Sequence, residues 1–140
     1  ELLEYLRCHP DAIYSLDPKV FEKIVAEILA SFGFEVQLNV RLPAGEVDII
    51  AVSHDPLGKP VGYLVECKRY SPRKKVTIGQ VARLYELKNS MQATLEIPRA
   101  MFVTTSDFTS SAKQFYGNRW DIDLRNYEAL MEWLFEFRKS

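Results

Sequence analysis

The alternation of hydrophobic and polar positions divides the chain into short helices and strands. Residues 1–15 predict a short amphipathic helix that ends near Pro10. A longer helix follows, with Asp17 as its N-cap, Pro18 at its first position and Gly33 at its end. Its apolar residues recur at helical spacing, at Phe21, Ile24, Val25, Ile28, Leu29 and Phe32. We therefore expect one face of this helix, centred near Phe32, to pack on the core.

The remaining segments show strand and helix patterns in turn. Strands are predicted at 34–40, 46–52, 63–70, 99–106 and 121–124, and helices at 78–93, 109–117 and 126–137. The Pro and Gly residues of "SHDPLGKPVG" predict a turn that joins two strands into a hairpin. This order predicts an α/β domain with a mixed sheet flanked by helices. The step from 63–70 to 99–106 should be a right-handed parallel crossover.

The composition is that of one ordinary globular domain. The chain has 140 residues, of which 47% are hydrophobic and 26% charged, and its net charge is −1. A polyanion would therefore need a local basic patch to bind. No apolar run is long enough to cross a bilayer and the start has no signal-peptide pattern, so we expect a cytoplasmic protein without a membrane partner. Two cysteines favour a reducing compartment, and no zinc-ligand spacing relates Cys8, His9, His54 and Cys67.

Two carboxylates are predicted to meet on the hairpin. In "YLVECKRY", Glu66 and Lys68 share a face of the strand, and Cys67 points the opposite way, into the core. If the hairpin is symmetric about Leu57, paired positions sum to 114 and Asp48 lies opposite Glu66, about 5 Å away. Buried carboxylates repel each other, so a positive group should lie between them, either Lys68 or a divalent cation such as Mg²⁺. A plain cross-strand ion pair on a solvated face is the structural alternative.

The first long helix supplies a third candidate carboxylate. At about 100° per residue, Glu22 falls on the border of the apolar face beside Leu29, and Glu27 falls on the opposite, solvated side. Glu22 can therefore face the edge of the sheet, whereas Glu27 is expected to be a surface charge. The structural alternative is that Glu22 is an ordinary first-turn glutamate, favoured there by the helix dipole.

Five segments carry a family resemblance. They are "FEKIVAEILASFGFEV", "GEVDIIAV", "LVECKRY", "VTIGQVARLYELK" and "RAMFVTTSDFTSSAKQF". In order and spacing they resemble the Mrr-type restriction endonucleases of the PD-(D/E)XK nuclease superfamily, from about residue 17 to residue 134. The resemblance implies a three-layer α/β/α restriction-endonuclease-like fold with a central mixed β-sheet over 17–140, after a helical extension at 1–16. It also implies a metal-dependent endonuclease that cuts DNA with Mg²⁺, for which Mn²⁺ can substitute.

The same resemblance assigns the residues of the site. It makes Asp48, Glu66 and Lys68 the catalytic core, in which Asp48 and Glu66 hold the metal. In that chemistry the lysine orients or activates the attacking water and stabilises charge on phosphorus. Glu22 matches the helix-borne acidic residue of the family. Gln80 matches a polar residue often found at the start of the next helix.

The chain departs from the family pattern just before Asp48. Val47 stands where the superfamily name has proline, and "PAGEVD" stands where this branch has a glycine-rich approach. By the period of two in a strand, Glu46 shares a face with Asp48 and lies roughly opposite Lys68. We therefore expect Glu46 to pair with that lysine or to crowd the metal.

A run of cations follows the predicted catalytic strand. Contacts with DNA phosphates are expected from Arg69, Arg73, Lys74 and Lys75, and Tyr70 is placed to pack on a sugar or base. A solvated turn is the structural alternative, because charge runs usually are solvated.

Two further patterns are interpreted as structural. Thr104, Thr105 and Ser106 are predicted to be strand-end and N-cap hydroxyls rather than a phosphate site. The apolar stripe of the last helix is predicted to be core or a dimer surface, and it comprises Leu130, Trp133, Leu134 and Phe137.

The predicted function is a Mg²⁺-dependent endodeoxyribonuclease acting in the restriction of modified or foreign DNA. The alternative from another class is a non-catalytic DNA-binding or assembly module with the same fold, for which Glu46 is the main argument. A Holliday-junction resolvase-like nuclease is the enzymatic alternative, since it shares the helix glutamate and the E-x-K strand. The expected partners are DNA, a second copy of the chain, and further domains of a longer protein. The last of these accords with a sequence that begins at Glu1 rather than Met.

Overall fold

The helices and strands follow the predicted order. The structure, a computed structural model, describes residues 1–91 and 98–136. Its helices are α1 (Leu2–Cys8), α2 (Pro18–Ser31), α3 (Ile78–Ser90), α4 (Ser110–Tyr116) and α5 (Tyr127–Glu136), with a 3₁₀ turn at Pro10–Ser15. Its strands are β1 (Glu35–Leu42), β2 (Gly45–His54), β3 (Pro60–Lys68), β4 (Pro98–Thr104) and β5 (Ile122–Arg125). The predicted end of α3 at Ala93 and the predicted packing position Phe137 lie outside the described residues.

A mixed sheet with the strand order β1-β2-β3-β4-β5 forms the centre of the fold. Strand β2 is antiparallel to both β1 and β3, whereas β4 runs parallel to both β3 and β5. The predicted parallel step from β3 to β4 is therefore confirmed. The register of the β2–β3 hairpin is also as predicted, because its paired positions sum to 114 from His54–Pro60 to Ile49–Val65.

Two hydrophobic cores cover the two faces of this sheet. One core lies beneath α1, α2 and α5 and contains Ile49, Val65 and Cys67 from the strands. The other lies beneath α3 and α4 and contains Val47 and Leu64. The fold is therefore the expected three-layer α/β/α arrangement, and Cys67 is a buried core residue as predicted.

The N-terminal segment belongs to the first of these cores. Leu3 and Leu6 of α1 are fully buried among residues of α2 and α5. Burying two leucine side chains contributes on the order of 3–6 kcal/mol. Residues 1–16, predicted as an extension, therefore pack against the rest of the domain.

The apolar faces of α2 and α5 are buried, with one exception. On α5, Leu130, Trp133 and Leu134 lie in the core, so the core interpretation holds for these three. Phe32, predicted to be the centre of the α2 face, is instead 38% exposed. The helix ends before it, and the chain turns through Gly33 at a φ of 98°, so Phe32 contacts Trp133 only edge-on. None of the helices in 1–91 and 98–136 is both long and apolar enough to span a bilayer.

A buried ion pair joins α3 to the residue just before β5. Lys88 is 2% exposed, and its Nζ lies 2.6 Å from Oδ2 of Asp121. The hydroxyl of Tyr85 donates a second hydrogen bond to the same oxygen at 2.7 Å. Burial alone would raise the pKa of Asp121, but these two donors outweigh it and hold the pKa below its ordinary value. The pattern of the sequence gives no sign of this pairing, because the two residues are far apart along the chain.

Candidate functional site

The site begins at an irregularity shared by β1 and β2. The pairing of these strands is regular on both sides of Asn39 and Asp48 but omits these two residues. Asn39 has a φ of 53°, in the left-handed region that residues other than glycine seldom adopt. Asparagine tolerates this conformation better than most side chains. The regular sheet is therefore interrupted at the level of Asp48.

Strand β2 reverses its faces at the same level. Val47 packs in the core beneath α3, whereas Ile49, two residues later, packs in the core beneath α2. In a regular strand, residues two apart would share a face. The side chain of Asp48 lies at this reversal, and its Oδ2 accepts a hydrogen bond of 2.8 Å from the main-chain N–H of Cys67. The carboxylate is thereby fixed against the end of β3.

The reversal also explains why the predicted position of Glu46 is wrong. The carboxylate of Glu46 accepts a hydrogen bond of 2.6 Å from Nη2 of Arg41 on the neighbouring strand β1. Its side chain is 65% exposed. The period of two that was used to place it opposite Lys68 does not continue through Asp48. Glu46 therefore neither pairs with that lysine nor crowds the carboxylates.

Glu66 and Lys68 lie on one face of β3, as predicted. Nζ of Lys68 is 3.6 Å from Oε2 of Glu66, and the glutamate side chain is only 12% exposed. Burial, and then the negative charge of Asp48, raise the pKa of Glu66 to about 7 against the opposing effect of Lys68. Glu66 therefore keeps its proton to a higher pH than an ordinary glutamate does. The predicted repulsion between the two carboxylates is present.

Glu22 is the third carboxylate near this point, and Glu27 is not. Glu22 is 7% exposed, and burial followed by the charge of Asp48 raises its pKa. Lys19 counters this effect, with Nζ 3.5 Å from Oε1 of Glu22 and 2.8 Å from Oδ1 of Asn39. Glu27 is on the exposed side of α2. The predicted separation of the two glutamates is confirmed.

If the chain cuts DNA with a metal ion as the family resemblance implies, Glu22→Gln should lower the cleavage rate by about 10- to 100-fold, the usual range for residues that support a metal site without being its ligands. The physical reason is that glutamine keeps the shape of the side chain but removes a charge that acts on Asp48. Initial rates of plasmid cleavage at saturating DNA measure the effect. Glu27→Gln is the matched control, one charge removed from the same helix, and it should change the rate by less than about twofold. A rate that depends on Glu27 instead would contradict this placement.

Gln80 joins the start of α3 to Tyr70, which lies just after β3. Its Oε1 accepts a hydrogen bond of 2.9 Å from the N–H of Thr77, which completes the helix cap. Its Nε2 donates to the hydroxyl of Tyr70 at 2.7 Å. Gln80 also borders a cavity of about 130 Å³, here named the carboxylate cavity, which is lined by Glu66, Lys68, Gln80, Arg83 and Phe102.

Arg83 is the residue of this cavity that sequence reasoning missed. It lies one helical turn after Gln80 on α3, so both side chains project from the same face. Its positive charge acts on Glu66 and opposes the rise of that pKa, after the larger effects of burial, Asp48 and Lys68. The spacing of three residues from Gln80 was the signal that could have found it.

The predicted DNA-contacting residues fall into two groups. Arg73, Lys74 and Lys75 are exposed, and Lys74 lies 4.3 Å above the ring of Tyr70. Arg69 is half-buried, and its Nη1 donates to the main-chain carbonyl of Tyr14 at 2.8 Å. Arg69 therefore ties the end of β3 to the 3₁₀ turn and does not join the exposed group.

Three consecutive hydroxyls fix the segment that carries these cations. Thr104, Thr105 and Ser106 are all buried at the end of β4. They donate hydrogen bonds to three alternate carbonyls of the neighbouring segment, those of Lys68 at 2.8 Å, Tyr70 at 2.6 Å and Pro72 at 3.2 Å. The prediction that these three residues are strand-end hydroxyls is confirmed. None of them is the N-cap of α4, which is Thr109. These hydroxyls are therefore occupied by the protein itself.

The donor set suits a hard divalent cation. Asp48 and Glu66 offer carboxylate oxygens, which hard cations prefer, and burial followed by the negative charge of Asp48 raises the pKa of Glu66. Within the described ranges, no group of three or more Asp, Glu, His or Cys side chains is placed to hold a metal. Mg²⁺ is commonly held by one or two carboxylates, with water and substrate phosphate completing its shell. The two carboxylates therefore fit Mg²⁺ better than a metal that requires an all-protein cage.

Comparison with known proteins agrees with this geometry. A catalytic-domain family model of the Mrr type, described as restriction endonuclease, matches residues 13–134. The uncharacterized protein y4cE of Sinorhizobium fredii is 32% identical over 103 residues, which cover 74% of this chain and 25% of y4cE. The chain therefore spans about a quarter of that relative.

Solved structures share the fold. The DNA modification-dependent restriction endonuclease AspBHI superposes with a TM-score of 0.66 and 19% identity, over 95% of this chain and 34% of AspBHI. The restriction endonuclease MspJI, solved in complex with a 27-mer oligonucleotide, gives a TM-score of 0.56 and 20% identity, over 94% of this chain and 30% of MspJI. In both proteins the shared fold is about a third of a larger chain.

Proposed function

The chain belongs to the Mrr-type restriction endonuclease family, and from that premise we propose that it hydrolyses phosphodiester bonds of DNA with a bound divalent cation. The observation that carries the proposal is the meeting of Asp48, Glu66 and Lys68 at one end of the β2–β3 hairpin. PD-(D/E)XK nucleases generally use divalent metals, and Mg²⁺, with Mn²⁺ as a substitute, is the proposed ion. The oxygen-only donor set supports this choice.

In this proposal Asp48 and Glu66 bind the cation through their carboxylates. A bound Mg²⁺ supplies Lewis acidity, which neutralises the phosphate and makes a bound water more acidic. The hydrogen bond from Cys67 holds Asp48 in place, and burial keeps Glu66 poorly solvated. The two carboxylates therefore stay close and repel each other, and a bound cation would relieve that repulsion.

Lys68 acts at the reacting phosphate in this proposal. Its side chain is 36% exposed, so the ammonium can reach a substrate in the cavity as well as Glu66. There it orients the attacking water and stabilises the charge that develops on the phosphate oxygens. Glu22 adds a third negative charge that interacts with Asp48, and Lys19 partly offsets it.

Incubation of supercoiled plasmid with the protein and Mg²⁺ tests the function directly. The wild-type protein should nick or linearise the plasmid, and EDTA should stop the reaction. Lys68→Ala should reduce the cleavage rate by about 100- to 1000-fold, as does removal of other groups that stabilise transition-state charge. Fluorescence anisotropy should show that this variant still binds DNA. Lys59→Ala, at the turn between β2 and β3, removes an exposed charge at the opposite end of the hairpin and should cut normally.

The proposed substrate class is modified or foreign DNA. AspBHI, which shares the fold, is a modification-dependent enzyme, and this supports testing modified DNA first. The same plasmid prepared with and without cytosine methylation should be cut at different rates. Further domains of a longer protein, and a second copy of the chain, are proposed as the source of the remaining specificity. Equal rates on both plasmids would remove the modified-DNA part of the proposal.

The exposed cations Arg73, Lys74 and Lys75 are proposed to contact DNA phosphates. Each contact releases counterions, so the logarithm of affinity should fall with the logarithm of salt concentration by about 0.9 per contact. Replacing all three with alanine should weaken binding at low salt and reduce the slope by about two to three units. Anisotropy across a salt series measures the slope. An unchanged slope would mean that the segment is a solvated turn.

A further inference from the structure

A second cavity, of about 170 Å³, lies between α3 and the β1–β2 turn and is lined by Ala44, Arg83, Glu86 and Leu87. We refer to this second cavity as the groove. Arg83 also lines the carboxylate cavity, so this one side chain borders both spaces.

Arg83 is available to a ligand, unlike Lys19 and Arg41. Its side chain is exposed, and it makes no hydrogen bond or ion pair with any residue of 1–91 or 98–136. In contrast, Lys19 is held by Glu22 and Asn39. Arg41 is held by a glutamate of β2. The guanidinium of Arg83 therefore retains its full set of donors.

Opposite Arg83, the β1–β2 turn contributes Gly45, which has no side chain. A β-carbon placed on Gly45 would lie 3.8 Å from Nη2 of Arg83 and 3.8 Å from Cδ1 of Leu87. Gly45 has a φ of 151°, a conformation that side chains disfavour. The turn can therefore approach the guanidinium closely without a side chain that would cover it.

We propose that this groove binds one DNA phosphate next to the one that is cleaved, and that Arg83 holds it. The inference rests on the proposed nuclease function. Arg83 lines the carboxylate cavity as well as the groove, so a phosphate next to the scissile one can reach its guanidinium. A guanidinium donates two parallel hydrogen bonds to phosphate oxygens, which an ammonium cannot do.

The far end of the groove limits this subsite to a single phosphate. Glu86 places a negative charge there, which repels a second phosphate. Ala44 and Leu87 offer an apolar surface to the sugar attached to the bound phosphate. Glu86→Gln should therefore leave DNA affinity unchanged or raise it slightly.

Binding of a fluorescent duplex in EDTA, where no cleavage occurs, tests the role of Arg83. Arg83→Ala should weaken binding about 10- to 100-fold at low salt, as expected for lost hydrogen bonds to a charged group. It should also reduce the salt slope by about 0.9. Arg83→Lys should keep the slope, since the charge remains, but bind less tightly than wild type. Lys59→Ala is the matched control and should change neither quantity. In cleavage, Arg83→Ala should raise KM much more than it lowers kcat.

A series of duplexes, each with one neutral methylphosphonate in place of a phosphate, tests the position. Neutralising the phosphate beside the cleavage site should weaken wild-type binding but have little further effect on Arg83→Ala. Equal losses in both proteins at every position would overturn the inference, as would an Arg83→Ala variant that binds like wild type. If either result is obtained while the wild-type protein still cuts DNA, the proposed nuclease function stands and only the phosphate subsite is rejected. A wild-type protein that neither binds nor cuts DNA would overturn both.

Discussion

Asp48→Asn should abolish cation binding at the site and lower DNA cleavage by at least about 100-fold, within the range seen when charge stabilisation is removed. Asparagine keeps an oxygen that can accept the hydrogen bond from the N–H of Cys67, so the end of the hairpin should stay intact. What is lost is one of the two negative charges that attract the cation. Calorimetric titration with Mg²⁺ and plasmid cleavage measure the two effects separately.

The matched control for this change is Asp55→Asn at the other end of the same hairpin. There Oδ1 of Asp55 accepts hydrogen bonds from the main-chain N–H groups of Leu57 and Lys59, both at 2.9 Å. That variant should bind Mg²⁺ and cut DNA like wild type. Undiminished Mg²⁺ binding by Asp48→Asn would remove Asp48 from the proposed metal site.

The same experiment has an expected dependence on pH. Cation binding requires Glu66 in its ionised form, so the Mg²⁺ affinity of the wild-type protein should fall as the pH drops below about 7, the raised pKa of Glu66. In Asp48→Asn the charge that helps to raise this pKa is gone. Any residual binding should therefore persist to lower pH than in wild type.

Lys88→Met should lower the free energy of unfolding by about 3–5 kcal/mol, because it leaves Asp121 buried with its charge uncompensated. Methionine nearly preserves the length of the side chain, so the loss reports the missing ammonium rather than a cavity. Urea denaturation followed by circular dichroism measures the change. Lys88 lies in the layer of α3 and is remote from the proposed metal ligands in sequence, so the folded variant should still bind Mg²⁺.

Lys113→Met provides the comparison on the surface. Lys113 forms an ion pair with Asp107 at 2.8 Å, close to the 2.6 Å of the buried pair, but its side chain is 51% exposed. Exposed pairs contribute about 0–1 kcal/mol, because water solvates both charges when the pair is broken. Similar losses of unfolding free energy in the two variants would show that burial does not determine how much the Lys88–Asp121 pair stabilises the fold.

The order of elements and the hairpin register could be predicted because local rules determine them. The turn around Leu57 fixes which residues of β2 and β3 face each other, and the observed pairs keep the predicted sum. The placement of Glu22 and Glu27 on different sides of α2 follows from helical periodicity alone. In each case neighbouring residues along the chain carry the information.

The errors arise where distant segments decide the local geometry. The position of Glu46 was extrapolated through Asp48 with a period of two, but the left-handed Asn39 on another strand accompanies a reversal of faces there. Lys88 pairs with Asp121, which lies 33 positions away in the sequence. Helical periodicity can indicate that Lys88 is buried, but it cannot identify this partner. Arg69 was grouped with the exposed cations by proximity in sequence, whereas its side chain is half-buried and contacts the 3₁₀ turn, and its contact with DNA stays a prediction.

The three hydroxyls at the end of β4 also bear on the entropy of DNA binding. A flexible basic loop loses backbone freedom when it meets a rigid duplex, at about 1–2 kcal/mol for each residue that becomes ordered. Here Thr104, Thr105 and Ser106 already anchor the segment through its carbonyls, so most of that loss occurs during folding. The segment should therefore meet DNA as a preorganised surface, with little structural change on association. Removing the hydroxyls of Thr105 and Ser106 would then weaken the proposed DNA binding through added disorder, without removing any of the exposed cations.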